Sequence, residues 1–406
     1  MTGALSHIRV LDLSRVLAGP WATQVFADMG AEVIKVEKPR VGDETRGWGP
    51  PFLSDVERGS RDASYFLSAN RGKKSLTLDI ASPDGQEIVR RLAAISDVVI
   101  ENYKVGTLQR YGLAYDDLSA LNPRLVYCSI SGFGQSGPYA HLPGYDYVFQ
   151  GMGGLMSLTG IPAGEPGAGP LKVGVAIADI LTGMYATTAI LAALEHRNVS
   201  GRGQYIDLAL LDCVVSITSY QALNYLLSGK VPDCIGNAHP NIVPYNVYPC
   251  ADGRIILAIA NDSQFASFCR AVGRPELADD PRYRRGSDRN ENREELEGWI
   301  REIMLQRTMA DWLQLLESAN VPCGPINGLD RVFADPQVRH RGMQLTLPYG
   351  SALESPAVAN PINFSESPLR YERAAPTLGE HTDHVLRDIL NIDAAEIARL
   401  KEAGVL

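Results

Sequence analysis

Short apolar runs rich in β-branched residues alternate with helical patterns along the first third of the chain. Helical periodicity fills Pro20–Met29 and Pro83–Ile95 between such runs. Strands and helices that alternate in this way pack as a parallel sheet covered by helices. The pattern therefore predicts an α/β fold for this part of the chain. The runs that predict strands are IRVLDL (8–13), AEVIKVE (31–37), SLTLDI (75–80), DVVIEN (97–102) and LVYCSIS (125–131).

The pattern changes after the first third of the 406-residue chain, which is long enough for two or three domains. Residues 160–170 are rich in Gly and Pro and predict a loop. A strand pair around the turn Ala251–Gly253 lies among helical patterns. We therefore expect a second, smaller α+β domain, followed by a linker over the proline-containing residues 331–376 and helices at the end.

The charge balance bears on the class of ligand. The formal net charge is −9 at pH 7, which argues against nucleic-acid binding because phosphate neutralisation needs a basic face. Residues 1–110 hold 15 Lys and Arg against 14 Asp and Glu, so the excess of acid lies in the rest of the chain. A small anionic ligand would find its cationic partners in the first third.

Cysteines and apolar segments bear on the compartment. The six cysteines form no CxxC pair, which favours reduced thiols over a zinc ribbon or a disulfide framework. The N-terminus shows no leader pattern, so we expect a cytoplasmic protein. Val173–Leu194 approaches the length of a membrane span, but Asp179 and three threonines interrupt it. We expect a buried helix there and no membrane partner.

Two further motifs are weak. The segment Gly132–Gly137 fits GxGxxG after a predicted strand, but Pro138 follows where the phosphate-binding helix should begin, so we expect a tight loop and no dinucleotide site. His381 and His384 have a spacing that suits one helical face, but no third ligand cluster accompanies them, so no metal site is expected. A helix cap at Thr382 or Asp383 explains that segment more simply.

Asp179 is the unusual residue, because it lies in an apolar helical pattern and an unpaired buried carboxylate is costly. It could cap a helix that starts near Asp179–Ile180 by accepting bonds from backbone N–H groups. It could equally be a nucleophile that attacks an activated acyl group in a water-poor site. Asp146 is a second carboxylate candidate, although it could also be a turn residue. The residues alone leave both alternatives open.

Ordered motifs along nearly the whole chain resemble family III CoA-transferases, the CaiB/BaiF group. This family includes formyl-CoA transferase, carnitine CoA-transferase, dicarboxylate transferases that use succinyl-CoA, and α-methylacyl-CoA racemases. The motifs are DLSRVLAGPWATQVFADMGAEVIKVEKPRVGDETRGW, NRGKKSLTLDI, DVVIENYKVGTLQRYG, SISGFGQSGP, ADILTGMYATTAILAALEHR, SGRGQYIDLALLD, VPCGPI and LGEHTDHVL.

The resemblance implies a Rossmann-like large domain with a parallel sheet, a smaller α+β domain, and an interlocked homodimer. The expected large domain spans residues 1–200 and is completed by helices in 370–406. A linker over 201–222 leads to the small domain at 223–330, and a return linker covers 331–369.

By position, the family's nucleophilic aspartate falls on Asp179. The implied reaction starts from an acyl-CoA donor, for which succinyl-CoA is a candidate, and forms an aspartyl acyl anhydride and then an aspartyl-CoA thioester. From this thioester CoA passes to a free carboxylic acid, with a dicarboxylic acid as a candidate. CoA would be a substrate, and the resemblance implies no tightly bound cofactor and no metal.

The CoA contacts implied by the resemblance lie mostly in the first third of the chain. Three of these residues are cations that suit the phosphates of CoA, since phosphate oxygens accept charge-assisted bonds. The implied contacts are Leu17, Ala18, Lys38, Leu78, Ala81, Asn102, Tyr103, Lys104, Arg110, Leu142 and Tyr145.

Two positions separate the subfamilies. Racemase relatives carry a histidine base where this chain has Tyr145, whose ordinary pKa near 10 suits proton transfer at neutral pH poorly. Formyl-CoA transferase has a glycine flap where this chain has His239–Tyr245, so a stiffer cover and a larger acid are expected. His239 and Asn241 could bind a second carboxylate or fix the loop. The alternatives are a racemase and a CoA-binding protein without turnover.

Overall fold

The computed structural model describes residues 3–57 and 59–406. Contacts within the chain group these residues into two units. The first unit comprises the described residues up to Met156, Lys172–Lys230 and Gln337–Leu406. The second comprises Ser157–Leu171 and Val231–Pro336.

The strands are numbered in chain order. They are β1 (Arg9–Asp12), β2 (Glu32–Glu37), β3 (Phe52–Asp55), β4 (Ser60–Ala63), β5 (Lys74–Thr77), β6 (Val98–Glu101), β7 (Val126–Ser131), β8 (Gly160–Ile161), β9 (Gly169–Pro170), β10 (Tyr205–Ala209), β11 (Tyr245–Cys250), β12 (Gly253–Ala258), β13 (Cys323–Pro325), β14 (Gln344–Tyr349) and β15 (Leu353–Val358).

The α-helices are numbered in the same way, and short 3₁₀ turns at Glu44–Gly47 and Pro275–Ala278 and a π turn at Val385–Ile389 accompany them. The helices are α1 (Ala18–Asp28), α2 (Ser64–Leu67), α3 (Pro83–Ala94), α4 (Thr107–Arg110), α5 (Tyr115–Leu121), α6 (Asp146–Met152), α7 (Leu155–Leu158), α8 (Ile177–Ser200), α9 (Leu210–Ile217), α10 (Ser219–Ser228), α11 (Asp262–Ala271), α12 (Gly286–Glu291), α13 (Arg293–Met304), α14 (Met309–Ser318), α15 (Leu329–Ala334), α16 (Pro336–His340), α17 (Thr382–His384) and α18 (Ala394–Glu402).

A parallel sheet forms the centre of the first unit, as the alternating pattern predicts. Within the described residues its strand order is β10-β7-β6-β1-β2-β5, and every neighbouring pair is parallel. The chain runs outward from β1 to β2 and β5 on one side, and from β6 to β7 and β10 on the other. The order therefore reverses between β1 and β6, and in open α/β sheets ligands bind at the carboxyl ends of the strands at such a point.

Alternate residues of the buried strands pack on opposite faces of this sheet. Val10 and Val98 belong to a core with α1 and α8, whereas Leu11 and Val99 belong to a core with α3, α5 and the C-terminal helices. Helix α8 is long and apolar enough to span a membrane, by length and composition alone. It packs on α1 and on β7 and β10, as a core helix does.

The second unit is built on an antiparallel sheet in the order β11-β12-β13. The predicted strand pair around Ala251–Gly253 is β11 and β12, with Cys250 opposite Gly253. Helices α11, α13 and α14 cover this sheet through a core that includes Tyr248, Phe268 and Trp312. Strands β8 and β9 pair within the Gly/Pro-rich segment, where the sequence predicts a loop.

Two segments expected to be linkers contain regular elements. Residues 201–222 include β10, which adds an edge to the central sheet, and α9. Residues 331–369 include α16 and the β14–β15 hairpin. The prolines Pro348 and Pro356 obscure the strand pattern of this hairpin. They are tolerated because both strands of a two-stranded ribbon are edge strands. The N–H groups on the outer side of such a strand have no partner strand, so a proline can replace a residue there.

Candidate active site

Asp179 is the third residue of α8, and its carboxyl group faces a cavity of about 230 Å³. Helix α8 begins at Ile177, two residues before the predicted start, and its N-cap residue is Ala176. Among the described residues, no group hydrogen-bonds to the Asp179 carboxylate. The capping interpretation of Asp179 is therefore wrong, because its carboxylate caps no backbone N–H group.

The cavity lies at the carboxyl ends of the central strands, where the strand order reverses. Its wall comes from segments that follow β1, β6, β7 and β10 and from the first turn of α8. Ser131 and Gly132 are included, so the start of the glycine-rich loop contributes to this wall, and no helix follows that loop before Asp146. The site is therefore assembled by the sheet and not by a dinucleotide-binding turn.

The turn between β1 and α1 forms one side of the cavity and is held from two directions. The Asn102 side chain accepts the Arg15 N–H (2.8 Å) and donates to the Arg15 carbonyl (2.7 Å). Val16 has φ +68°, a left-handed conformation that is unfavourable for a β-branched residue. Its N–H donates to the buried Asp43 carboxylate (3.2 Å), which also pairs with Lys35 (2.9 Å). These bonds keep a strained turn in place beside Asp179.

Electrostatics distinguish Asp179 from an ordinary surface acid. Burial raises its pKa to about 7, and the nearby negative charge of Asp146 adds to this shift. Burial also raises the pKa of Tyr65 to about 12, with Asp179 and Asp146 as the next contributors, so the phenol lies within their field. Near neutral pH, Asp179 is a poorly solvated carboxylate that can accept a proton or attack an electrophile.

Helices α1 and α8 approach closely beside this carboxylate. A Cβ atom on Gly183, one turn after Asp179, would lie 2.7 Å from the Ala18 carbonyl oxygen and 3.1 Å from the Trp21 side chain. Only a glycine fits at this position without displacement of α1. The contact brings the first turn of α1 into the cavity wall, where Ala18 lies.

The structure brings many of the predicted CoA contacts together. The Asp179 cavity includes Ala18, Asn102, Tyr103, Lys104, Leu142 and Tyr145. A second cavity of about 390 Å³ includes Lys38, Leu78, Ala81 and Tyr103. Tyr103 lines both cavities.

Leu17 and Arg110 are not among the described residues that line these cavities. Leu17 is buried at the N-cap of α1, directly before Ala18, and Arg110 is exposed at the end of α4. Their contacts with CoA stay predictions.

Sequence reasoning missed Arg15, Val16, Asp43 and Glu44. Arg15 and Glu44 line both cavities and form an ion pair. The position of Arg15 and Val16 in the sequence could have identified them, because they follow β1 at its carboxyl end. Asp43 gave no signal, because its partners Val16 and Lys35 are brought to it only by the fold.

His239 and Asn241 lie in the second unit, in a loop held by an arginine. The Arg293 guanidinium donates to the carbonyls of His239 (2.8 Å) and Pro240 (3.1 Å). The Asn241 N–H donates to His239 Nδ1 (3.1 Å), and burial, with Arg293 nearby, lowers the His239 pKa. Arg293 thus anchors this loop, while its role as a cover and its contact with substrate stay predictions.

The His381–His384 segment is structural. His384 Nε2 lies 3.0 Å from Lys74 Nζ, and His384 Nδ1 lies 2.7 Å from Asp388. The Thr382 hydroxyl accepts the Thr77 N–H (3.0 Å), so it ties the C-terminal segment to β5 instead of capping α17. Within residues 3–57 and 59–406 no cluster of His, Cys, Asp and Glu could hold a metal ion.

Comparisons with known proteins show the family of this chain. The profile of CoA-transferase family III matches residues 5–382. A succinate–glutarate CoA-transferase of Agrobacterium fabrum is 50% identical over 389 residues, 96% of each chain. A succinyl-CoA:glutarate CoA-transferase of Homo sapiens is 40% identical over 402 residues, 99% of this chain and 90% of the human one. The crystal structure of a CAIB/BAIF family protein from Brucella suis has a TM-score of 0.83 and 47% identity, and the match covers 96% of this chain and 100% of that one.

Proposed function

Because the chain belongs to CoA-transferase family III, we propose that it moves CoA from succinyl-CoA to a free dicarboxylic acid through covalent intermediates on Asp179. The donor and the acceptor class follow the names of its relatives, among them succinyl-CoA transferases for glutarate, mesaconate and D-citramalate. The single observation that carries the mechanism is the Asp179 carboxylate, which faces a cavity without a hydrogen-bond partner among the described residues.

The proposed reaction is a double displacement. The Asp179 carboxylate attacks the thioester carbonyl of succinyl-CoA, the C–S bond breaks, and CoA thiolate leaves an aspartyl succinyl anhydride. The thiolate then attacks the aspartyl carbonyl, which releases succinate and gives an aspartyl-CoA thioester. An acceptor carboxylate attacks the carbonyl of this thioester, the C–S bond breaks, and CoA thiolate leaves a second anhydride between Asp179 and the acceptor acid. Thiolate finally attacks the acceptor acyl carbon, which yields the new CoA ester and frees Asp179.

The raised pKa of Asp179 supports a role in attack. A carboxylate whose pKa lies near 7 is more basic than an ordinary aspartate and still substantially ionised at neutral pH. Its partial burial removes hydrogen-bonded water that would otherwise have to leave before attack. Each intermediate is an acyl derivative of similar energy, so the sequence of steps needs no external energy source.

Two cavities support a binding mode for CoA. The thioester end would lie in the cavity of Asp179, beside Tyr145 and the first turn of α1. The phosphate-bearing end would lie in the second cavity, where Lys38 is available and Arg15 is shared with the first. Lys104 and Arg110 would add cationic contacts.

A homodimer is part of this proposal. Leu223, Leu226 and Leu227 on α10 are 57%, 72% and 87% exposed in the single chain. Apolar side chains this exposed on one short helix mark an interaction surface. An interlocked partner chain would cover them, as the family resemblance implies.

Intact-mass spectrometry of protein incubated with succinyl-CoA tests the mechanism. The native chain should gain the mass of a covalent CoA or succinyl adduct, whereas Asp179→Ala should gain none and lose exchange activity by at least about 10³-fold. Asp212→Ala, on α9, is the control and should keep its adduct. Full exchange in Asp179→Ala would exclude this mechanism. Deuterium incorporation at the substrate α-carbon without exchange would point to racemisation instead.

A further inference from the structure

Helix α8 begins without a cap of its own. Its N-cap residue Ala176 makes no side-chain hydrogen bond. The N–H of Ala178, the residue directly before Asp179, instead donates to Asp146 Oδ1 (2.7 Å), 32 residues earlier in the chain. The cap of the helix that carries Asp179 therefore comes from the first residue of α6.

Gln150 holds this cap in place. It lies one turn after Asp146 on α6, and its side chain is fully buried. Its Nε2 donates to Asp146 Oδ2 (2.6 Å), and its Oε1 accepts the Val173 N–H (2.9 Å). A longer contact runs from Nε2 to the Val175 carbonyl (3.4 Å). One amide thus connects the capping carboxylate to the segment that leads into α8.

We propose that Gln150 is a positioning residue for CoA transfer: with Asp146 it fixes the turn from which Asp179 faces the cavity. This inference rests on the proposed role of Asp179 as the nucleophile. Attack on a thioester needs the carboxylate oxygen at near-contact distance and correct angle, and small displacements are costly in rate. A buried amide without partners is also costly, so Gln150 is held to this one arrangement.

Asp146 has a second effect on Asp179, because it is the charged group that adds to burial in setting the Asp179 pKa. Substitutions can therefore separate the effect of Asp146 on the position of Asp179 from its effect on the Asp179 pKa. Among the described residues, the other charged or titratable groups around Asp179 are Tyr65 on α2 and those that line its cavity, namely Arg15, Glu44, Tyr103, Lys104 and Tyr145.

Three variants test the proposal, with kcat, KM for succinyl-CoA and the pH dependence of kcat as readouts. Gln150→Met keeps the length of the side chain but loses its hydrogen bonds. We expect kcat to fall by about 10- to 100-fold, with KM changed less than about twofold. The acid limb of its pH profile should stay in place, because the charge of Asp146 is retained. Gln314→Met on α14 replaces an exposed glutamine and should leave kcat unchanged.

Two further variants are Asp146→Asn and the double variant Asp146→Asn/Gln150→Glu. The double variant, called the exchanged pair, swaps the carboxylate and the amide between positions 146 and 150. The single variant removes a negative charge near Asp179, so its acid limb should move to lower pH. In the pair, the new amide can still accept the Ala178 N–H and can donate to the new carboxylate at 150. We expect kcat of the pair to be at least about tenfold higher than kcat of Asp146→Asn, because the pair restores the positioning contacts.

Two outcomes overturn the proposal. One is native kcat in a folded Gln150→Met, and the other is an exchanged pair no faster than Asp146→Asn. If Gln150→Met does not fold, the comparison of the pair with Asp146→Asn decides. Asp179→Ala separates the two hypotheses. Exchange in that variant overturns the proposed function, whereas an inactive Asp179→Ala beside a fully active Gln150→Met overturns only the role of Gln150.

Discussion

The carboxyl group of Asp179 destabilises the folded state at every pH at which it is ionised. In water its pKa is near 4, and in the folded chain burial and Asp146 raise it to about 7. The folded state therefore binds more protons than the unfolded state between these two values. By linkage, this group lowers the free energy of unfolding as pH rises from about 4 to about 7, and the loss is complete above pH 7. Such a cost is typical of a functional group.

The fall in the free energy of unfolding with rising pH gives a prediction for a substitution of this residue. Asp179→Asn removes the ionisation, so at pH 8 the variant should unfold at a higher temperature than the native chain, by a few degrees. Near pH 5, where native Asp179 is mostly protonated, the gain should shrink. Thermal unfolding followed by circular dichroism at both pH values measures this. The same substitution at Asp212 is the control, and equal shifts at both pH values for Asp179→Asn would contradict the assigned pKa.

Sequence reasoning reached Asp179 because an acid in an apolar helical pattern is conspicuous, and the family resemblance assigned its role. It could not reach Gln150. A glutamine between Phe149 and Gly151 has no local signature, and its partner Val173 is brought to it only by the fold. Pairings between distant segments are set by tertiary packing, which periodicity does not encode.

At the scale of elements, the contact of α1 with α8 depends on Gly183. Gly183→Ala places a methyl group 2.7 Å from the Ala18 carbonyl oxygen, so the helices must separate. We expect a loss of about 1–3 kcal/mol in the free energy of unfolding and a fall in exchange activity. Chemical denaturation and kcat measure the two effects.

Gly298→Ala is the matched control, because Gly298 is an exposed residue of α13 with no atom within 4 Å of a built Cβ. It should be neutral or stabilising by up to about 1 kcal/mol, since alanine favours helix over glycine. Native stability and activity in Gly183→Ala would show that the close approach is not required.

The elements of the central sheet were predictable, because each strand is a buried apolar run bounded by turn residues. All five predicted strands of the first third are present. Their ends lie within one residue of the prediction, except that β5 ends at Thr77, three residues before its predicted end. The β14–β15 hairpin was not predicted, since its alternation is short and interrupted by proline. β10 was not predicted as part of the sheet, because an edge strand half exposed to solvent has a mixed pattern.

At the scale of the whole molecule, we expect a dimer in solution. Leu226→Asp/Leu227→Asp places two charges on the most exposed part of α10, where a partner chain would need to desolvate them. Sedimentation velocity should show a dimer for the native chain and a monomer or insoluble protein for the double variant. Leu121→Asp, on α5, is a control for a charge at an exposed leucine. A native monomer would contradict the proposed assembly.

The cap supplied to α8 by Asp146 also bears on the growing polypeptide. A peptide with residues 173–200 alone would lack that acceptor, and its aspartate would be hydrated and titrate as in any short acidic peptide. Reactivity toward thioesters would then arise only after α6 and α8 have docked. A nascent or truncated chain in which α6 has not docked on α8 would accordingly lack the reactivity proposed for Asp179.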